Sequence, residues 1–213
     1  MDRETKTQPR LILFTPVIGA VENFSELLGP VCAAADVAAV ILRTGTVSNE
    51  NIIASARHLA PKVQDIGVAL LLEGHPSLAA EANADGTHAA GLDALRSALP
   101  LMKPARIAGV GMLTTRHDAM TAGEAGADYV MFGEIEATGK RPGFDTIVDR
   151  VAWWAEIFEV PCAGFAANIE EVAALSGAGA DFIAVGDALW NAAGEPAEAV
   201  RKIAAQLRAE SVA

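Results

Sequence analysis

Aromatic side chains are scarce in this sequence: Phe, Tyr and Trp together make up 5% of its 213 residues. A core built with so few of them must rest on Ala, Val, Leu and Ile, the material of Ala-rich helices packed on Val/Ile strands. Cysteine is scarcer still. Cys32 and Cys162 both stand in apolar surroundings, and no CxxC or Cys/His spacing accompanies them, so neither a disulfide framework nor a zinc site is expected. They read as buried, reduced thiols. Basic residues are outnumbered, 16 Lys and Arg against 27 Asp and Glu, for a formal net charge of −11. Such a field repels nucleic acid and anionic membrane surfaces, and no basic run offsets it. An anionic ligand therefore needs a local pocket of Arg, Lys, backbone N–H groups or a metal ion. No apolar run approaches the length of a membrane span. The opening segment MDRETKTQPR is charged and polar with no apolar stretch behind it, so no signal peptide is expected and a cytoplasmic location is.

What is present is alternation. Hydrophobic residues reach 52% and charged residues 20%, enough apolar material for a large core and too much for disorder. Short apolar runs at 11–14, 37–42, 67–72, 86–88, 106–111, 129–132, 162–165 and 182–185 interleave with helical stretches. Those stretches lie at 24–35, 48–60, 76–82, 93–99, from about 115, at 145–158, 169–175 and 196–208. Ser48 and Thr115 are expected helix caps, and Pro61 is expected to lie just past a helix end. Strict strand–helix alternation implies parallel strands joined by helical crossovers. Eight such pairs in a chain of this length predict a (βα)8 TIM barrel, a single closed parallel sheet over residues 10–213 behind a frayed tail over 1–9. The rival, a doubly wound open sheet, would carry a Gly-rich fingerprint after its first strand. The sequence there is Thr15-Pro16-Val17-Ile18-Gly19-Ala20, which is no dinucleotide fingerprint, and no P-loop is present.

An internal echo supports the ring. Gly126-Ala127-Asp128-Tyr129-Val130 recurs as Gly179-Ala180-Asp181-Phe182-Ile183, with Asn83-Ala84-Asp85-Gly86 as a weaker copy. Each has a residue suited to the left-handed conformation that ends a helix, a small Ala, and an Asp able to bond the turn before a strand. These corners fall at the N-terminal face, where a role in stability is expected, because barrel active sites form at the opposite face.

At the opposite face, the strand ends carry Arg43, Glu73, His75, His88, Asp93, Thr114, Glu134, Thr138, Lys140, Asn168 and Asp187. Arg43 follows an apolar run and is placed either to clamp a phosphate or carboxylate, or to pair with Glu73 or Asp93. Glu73 and Asp93 stand on neighbouring strand ends and could hold Mg2+ beside a diphosphate; alternatively Asp93 is a simple helix cap. Lys140 sits in Thr138-Gly139-Lys140-Arg141-Pro142-Gly143, either a mobile basic loop able to close over an anion or a solvated turn. The loops Gly164-Phe165-Ala166-Ala167-Asn168 and Gly186-Asp187-Ala188 stand where such barrels usually bind phosphate, although Asp187 adds like charge there. His75 and His88 lie near the mouth without an evident acid partner and read as structural.

Taken together, Ala84-Asp85-Gly86-Thr87-His88, Gly109-Val110-Gly111, the segment Gly126 to Gly133 with Thr138 and Lys140, and Gly179-Ala180-Asp181 with Ala184-Val185 resemble thiamine phosphate synthases and their TenI-like relatives. The resemblance spans about Leu11 to Arg208. It implies a (βα)8 barrel that joins hydroxymethylpyrimidine diphosphate to thiazole phosphate, with Mg2+ and release of diphosphate. By position, it assigns catalytic roles to Arg43 and Lys140 and a metal role to Asp93, with Glu73 standing in for an Asn-Asp pair. Thr114, Thr138, Gly164, Ala166, Ala167, Gly186 and Asp187 become substrate- and phosphate-binding candidates. Several positions depart from the family pattern: Gly45 replaces a lysine, Gly91-Leu92 replaces Gln-Glu, Ala166-Ala167 replaces Gly-Gly, and Asp187 replaces a serine. Glu134 stands where TenI-like tautomerases have a catalytic His. The alternatives are therefore proton transfer with Glu134 as base, or a non-catalytic barrel that binds a phosphorylated ligand.

Trp153 and Trp154 are adjacent in the helix expected over 145–158 and point about 100° apart. One indole is expected on the strands and the other sideways or outward, with Phe158 sharing the face of Trp154. This helix is the expected interface of a homo-oligomer, most simply a dimer.

Overall fold

The apolar runs become strands because both of their faces are covered. The computed structural model describes residues 8–17, 21–136, 138–192 and 194–210. Its strands are β1 (Arg10–Phe14), β2 (Val37–Leu42), β3 (Ala69–Glu73), β4 (Gly86–Ala90), β5 (Ile107–Gly111), β6 (Tyr129–Phe132), β7 (Cys162–Ala166) and β8 (Phe182–Val185). Its helices are α1 (Val21–Ala33), α2 (Asn49–Gln64), α3 (Leu92–Met102), α4 (Arg116–Ala125), α5 (Phe144–Ile157), α6 (Glu171–Gly177), α7 (Asp187–Trp190) and α8 (Pro196–Glu210). The strands pair in parallel in chain order and close, β1 against β8. The architecture is the expected (βα)8 barrel.

Alternate residues along each strand serve two cores. Ile12, Phe14, Ile41, Leu71, Tyr129, Met131 and Phe165 fill the barrel interior. Their neighbours Leu11, Leu13, Val40, Leu42, Leu70, Leu72 and Val130 pack in the outer cluster with helix residues such as Leu28, Leu59 and Leu95. Burial on both faces is why these strands read as continuous apolar runs rather than alternating ones. Cys32 and Cys162 are free and buried, and burial pushes the Cys32 thiol up to about 12.

The repeated corner has a single physical job. Asp85 Oδ2 accepts the Leu70 N–H at 2.7 Å, Asp128 Oδ2 the Ala108 N–H at 2.7 Å, and Asp181 Oδ2 the Cys162 N–H at 2.8 Å. Each Asp at the start of an even strand thus satisfies an amide at the start of the strand before it. Gly126 and Gly179, at φ 101° and 102°, adopt the left-handed conformation that the echo implied.

Helix ends differ in places from expectation. Ser48 and Thr115 cap as expected, Thr115 within a reciprocal capping box with Asp118. The second helix, expected to stop at Ala60, runs through Pro61 to Gln64. Pro61 forfeits one backbone bond, but Val63 is fully buried and draws the last turn onto the barrel. The helix expected over 76–82 is only a 3-10 turn, Pro76–Leu78. The four-residue α7 escaped expectation because it spans barely one turn and carries no periodicity.

Trp154 is fully buried; it stacks on Phe158 with centroids 4.1 Å apart and donates Nε1–H to the Val160 carbonyl at 2.7 Å. Trp153 is half-buried beneath the Arg116 guanidinium, 4.7 Å from its centroid. The expected division of the two indoles holds, and Trp154 is the inward one. Of the tail expected over 1–9, residues 1–7 lie outside the described residues, as do residues 18–20 of the first loop; Pro9 is buried. Among the described residues, no helix is long and apolar enough to cross a membrane.

Candidate active site

A cavity of about 460 Å³ opens where the C-terminal strand ends converge. Two glycines in β5 shape its floor. In register, His88 of β4 stands beside Gly109 of β5, which stands beside Tyr129 of β6. A Cβ at Gly109 would overlap the Tyr129 ring, and one at Gly111 would overlap the Glu134 carboxylate. The bare β5 backbone therefore leaves a lane across which side chains of β4 and β6 meet.

They meet as a buried chain of hydrogen bonds. His88 Nδ1 lies 2.8 Å from the Tyr129 hydroxyl, and its Nε2 lies 2.8 Å from Glu134 Oε1. Glu134 Oε2 accepts the Met112 N–H at 2.7 Å. Met112 holds φ at 52°, a left-handed value that a non-glycine residue adopts under strain, and it lines the cavity. The His88 and Tyr129 rings stack at 5.7 Å, while Phe14 stands edge-on to both His88 and Phe165 at 5.5 Å. Burial pushes the Tyr129 phenol well above its ordinary range, with the charges of Glu134 and Asp128 adding to the effect.

Arg43 leaves the end of β2 with its N–H bonded to Thr15 Oγ1 at 3.0 Å, and its Nη1 donates to Asp187 Oδ1 at 3.0 Å. Glu73, at the end of β3, also lines the cavity. Burial pushes its carboxyl above the ordinary range, against the opposing pull of Arg43 and His88. On the β7 side, the Ala167 N–H already donates to Glu171 Oε2 at 2.8 Å. Arg141 holds both oxygens of that carboxylate at 3.0–3.1 Å and also reaches the Phe165 carbonyl.

Of the residues singled out from sequence, Arg43, Glu73, Glu134, Ala166, Ala167, Gly186 and Asp187 come together around this cavity. Asp93, Thr114, Thr138, Lys140 and Gly164 do not line it. Asp93 is 99% exposed and pairs with Arg96 at 3.5 Å on its own helix. Thr114 Oγ1 donates to Asp118 at the start of α4, and Thr138 Oγ1 donates to Glu136. Lys140 is exposed, although Gly139 and Glu136 of its loop reach the cavity. Gly164 turns outward, where a Cβ would sit 2.9 Å from Leu175 of α6, so it serves strand–helix packing.

Sequence reasoning missed the acid partner of His88. The signal was there: an interior strand reading Gly-Val-Gly, flanked in register by His and Tyr, marks a place where neighbouring side chains cross. Phe14, Glu136 and the Arg141–Glu171 pair were also missed. Sequence does not show which loop residues fold inward.

The comparisons with known proteins agree with one another. The thiamine monophosphate synthase family profile matches residues 13–189. The thiamine-phosphate synthase of Rhodospirillum centenum is 40% identical over 91% of this chain and 95% of its own length. That of Hyphomonas neptunium is 32% identical over 93% of each chain. Among solved structures, the thiamine phosphate pyrophosphorylase of Pyrococcus furiosus superposes with a TM-score of 0.78 at 18% identity, over 96% of this chain and 98% of that one. A 3-hexulose-6-phosphate synthase from Salmonella typhimurium superposes with a TM-score of 0.72 at 18% identity, over 94% and 99%. At that identity the two structures speak for the barrel alone. The matched profile and the end-to-end sequence similarity go further: this chain belongs to the thiamine monophosphate synthase family.

Proposed function

We propose that this chain catalyses the thiamine-phosphate synthase reaction. The ring nitrogen of thiazole phosphate forms a C–N bond to the methylene carbon of hydroxymethylpyrimidine diphosphate. The C–O bond to diphosphate breaks, and diphosphate leaves with the electron pair. The observation that carries this is the 40% identity to a thiamine-phosphate synthase along 95% of that protein's length. The cavity suits it: Phe14, Phe165, Met112 and Ile135 offer surface for flat rings, and Arg43 offers a guanidinium to the departing diphosphate.

The donor set also bears on Mg2+. Among the described residues lining the cavity, Glu73, Glu134, Glu136 and Asp187 are carboxylates, and Arg43 is the one guanidinium. A diphosphate entering that field needs an added cation. No three described His, Cys, Asp or Glu residues form a metal cage. Mg2+, however, binds through one or two carboxylates completed by substrate phosphates and water. Glu134, Glu136 and Asp187 are each engaged by a side chain of the protein, which leaves Glu73 to hold the ion. When bound, Mg2+ would neutralise charge building on the leaving group. Asp93, exposed and paired with Arg96, stands apart from this set.

One observation favours a second reading, a proton transfer in the same cavity: Glu134 lines it and is held from behind by His88. A single assay separates the two. Purified protein with both substrates and Mg2+ should yield thiamine phosphate and diphosphate in equal amounts. Solvent hydrogen exchange into the thiazole alone, without joined product, would favour proton transfer. Binding without turnover of either kind would leave a phosphate-ligand-binding barrel. The proposal includes a cytoplasmic homodimer.

A further inference from the structure

We propose that Glu134 receives the ring amine of the pyrimidine substrate, and that His88 and Tyr129 hold it in place to do so. This rests on the synthase reaction proposed above and names a binding group for one of its two substrates.

Glu134 is 8% exposed, and a carboxylate so enclosed is costly unless its oxygens are used. Each oxygen already accepts one bond, Oε1 from His88 and Oε2 from the Met112 N–H. A carboxylate oxygen has further acceptor capacity, and Glu134 lines the cavity. Because a carboxylate accepts only, His88 Nε2 donates to it, and the Tyr129 hydroxyl bonds Nδ1 on the other side of the ring and fixes its orientation. The result is a fixed acceptor facing the cavity.

The walls narrow the class of group it takes. Phe14 and Phe165 meet edge to face at 5.5 Å, with Met112 and Ile135 in the same lining. Apolar walls beside one in-plane acceptor suit a flat heteroaromatic ring bearing an N–H donor, as carboxylates accept from the amino group of cytosine. A phosphate would meet like charge at Glu134. The ring end of the pyrimidine diphosphate therefore belongs here, and Arg43 is left for the diphosphate. The hydrogen bond also acts on the reaction. As the C–O bond breaks, positive charge spreads through the ring to the amine nitrogen, and an N–H bond to a carboxylate strengthens. The amine keeps its proton throughout.

The test is calorimetry on the full chain with two probes, the free aminopyrimidine alcohol and the same ring lacking its amine. Wild type should prefer the amine-bearing ring by about tenfold, or about 1.4 kcal/mol. Glu134→Gln should abolish the preference; its amide can still accept the Met112 N–H, and a melting curve checks the fold. Tyr129→Phe, which removes the hydroxyl that orients His88 but leaves the Glu134 carboxylate, should weaken the preference without abolishing it. Equal affinity of wild type for the two rings, or for neither, overturns the proposal even if the variant does not fold. A preference that survives in Glu134→Gln overturns it too. The diphosphate-release assay on the same samples separates the two claims: ring preference without turnover removes the synthase reaction and leaves the amine site, and turnover without preference does the reverse.

Discussion

Arg43 and Asp187, 144 positions apart in the sequence, join across the barrel mouth through a 3.0 Å bond from Nη1 to Oδ1. The side chains are 29% and 65% exposed, so the pair is partly screened and adds little to stability. Its effect falls on the ligand. An anion approaching the loop after β8 meets a carboxylate, and the nearby guanidinium is already engaged by it. Asp187→Ser should therefore tighten thiazole phosphate binding by about two- to fivefold, the range that a partly exposed charge contact commands. Calorimetry decides this, and unchanged or weaker binding in the variant counts against it.

Glu73 makes stability depend on pH. Its folded pKa is raised by burial, so the folded state holds this proton more tightly than the unfolded chain does. Below the unfolded value of about 4.3, both states are protonated and no differential exists. As pH rises through the raised folded value, the half-buried carboxyl charges and stability is lost. Glu73→Gln removes that loss. Its gain over wild type in urea unfolding should be absent below about pH 4 and grow toward neutrality. A gain that does not change with pH would contradict the burial argument. The same variant should need more Mg2+ for half-maximal rate.

Gly111 is the point at which β5 makes room for Glu134. Gly111→Ala puts a methyl where the carboxylate sits, so either Glu134 moves off His88 and Met112 or the strand shifts. Overpacking of this kind costs about 1–3 kcal/mol. Urea unfolding should show that loss, and the rate of product formation should fall more steeply than stability alone explains. Wild-type rate at reduced stability would show that the placement of Glu134 is immaterial to catalysis.

How legible these features were in the sequence depended on their range. Strands of four to six residues buried on both faces write themselves as apolar runs, so the ring was readable, and β2, β6 and β8 match expectation to the residue. The corner Asp residues were readable because a local motif repeats. The mouth was half readable. Glu73 ends its strand, and Arg43, Glu134 and Asp187 lie within two residues of a strand end, where strand direction places them. Asp93 and Thr114 lie three residues past their strands and bond to residues of the helices that follow. The His88–Glu134 contact joins residues 46 apart through a lane that only the β4–β5–β6 register creates.

The two indoles of α5 carry different consequences. Trp154 is fully buried between helix and strands, so Trp154→Ala should cost about 3–5 kcal/mol of stability. Trp153, half-buried under Arg116, is the indole with surface left to offer a second copy, alongside the 59% exposed Ile157. If α5 forms the dimer contact, Trp153→Ala should weaken it more than it weakens the fold. Light scattering at tens of micromolar checks the assembly, and a wild-type monomer there ends the dimer proposal.

The most direct measurement is joined-product formation itself. Full-length protein is given hydroxymethylpyrimidine diphosphate and thiazole phosphate, with and without Mg2+, and thiamine phosphate and diphosphate are quantified together. Equimolar products that require Mg2+, and that fall sharply in Arg43→Ala, are the predicted result. Substrates recovered intact with a folded protein and Mg2+ present would contradict the account.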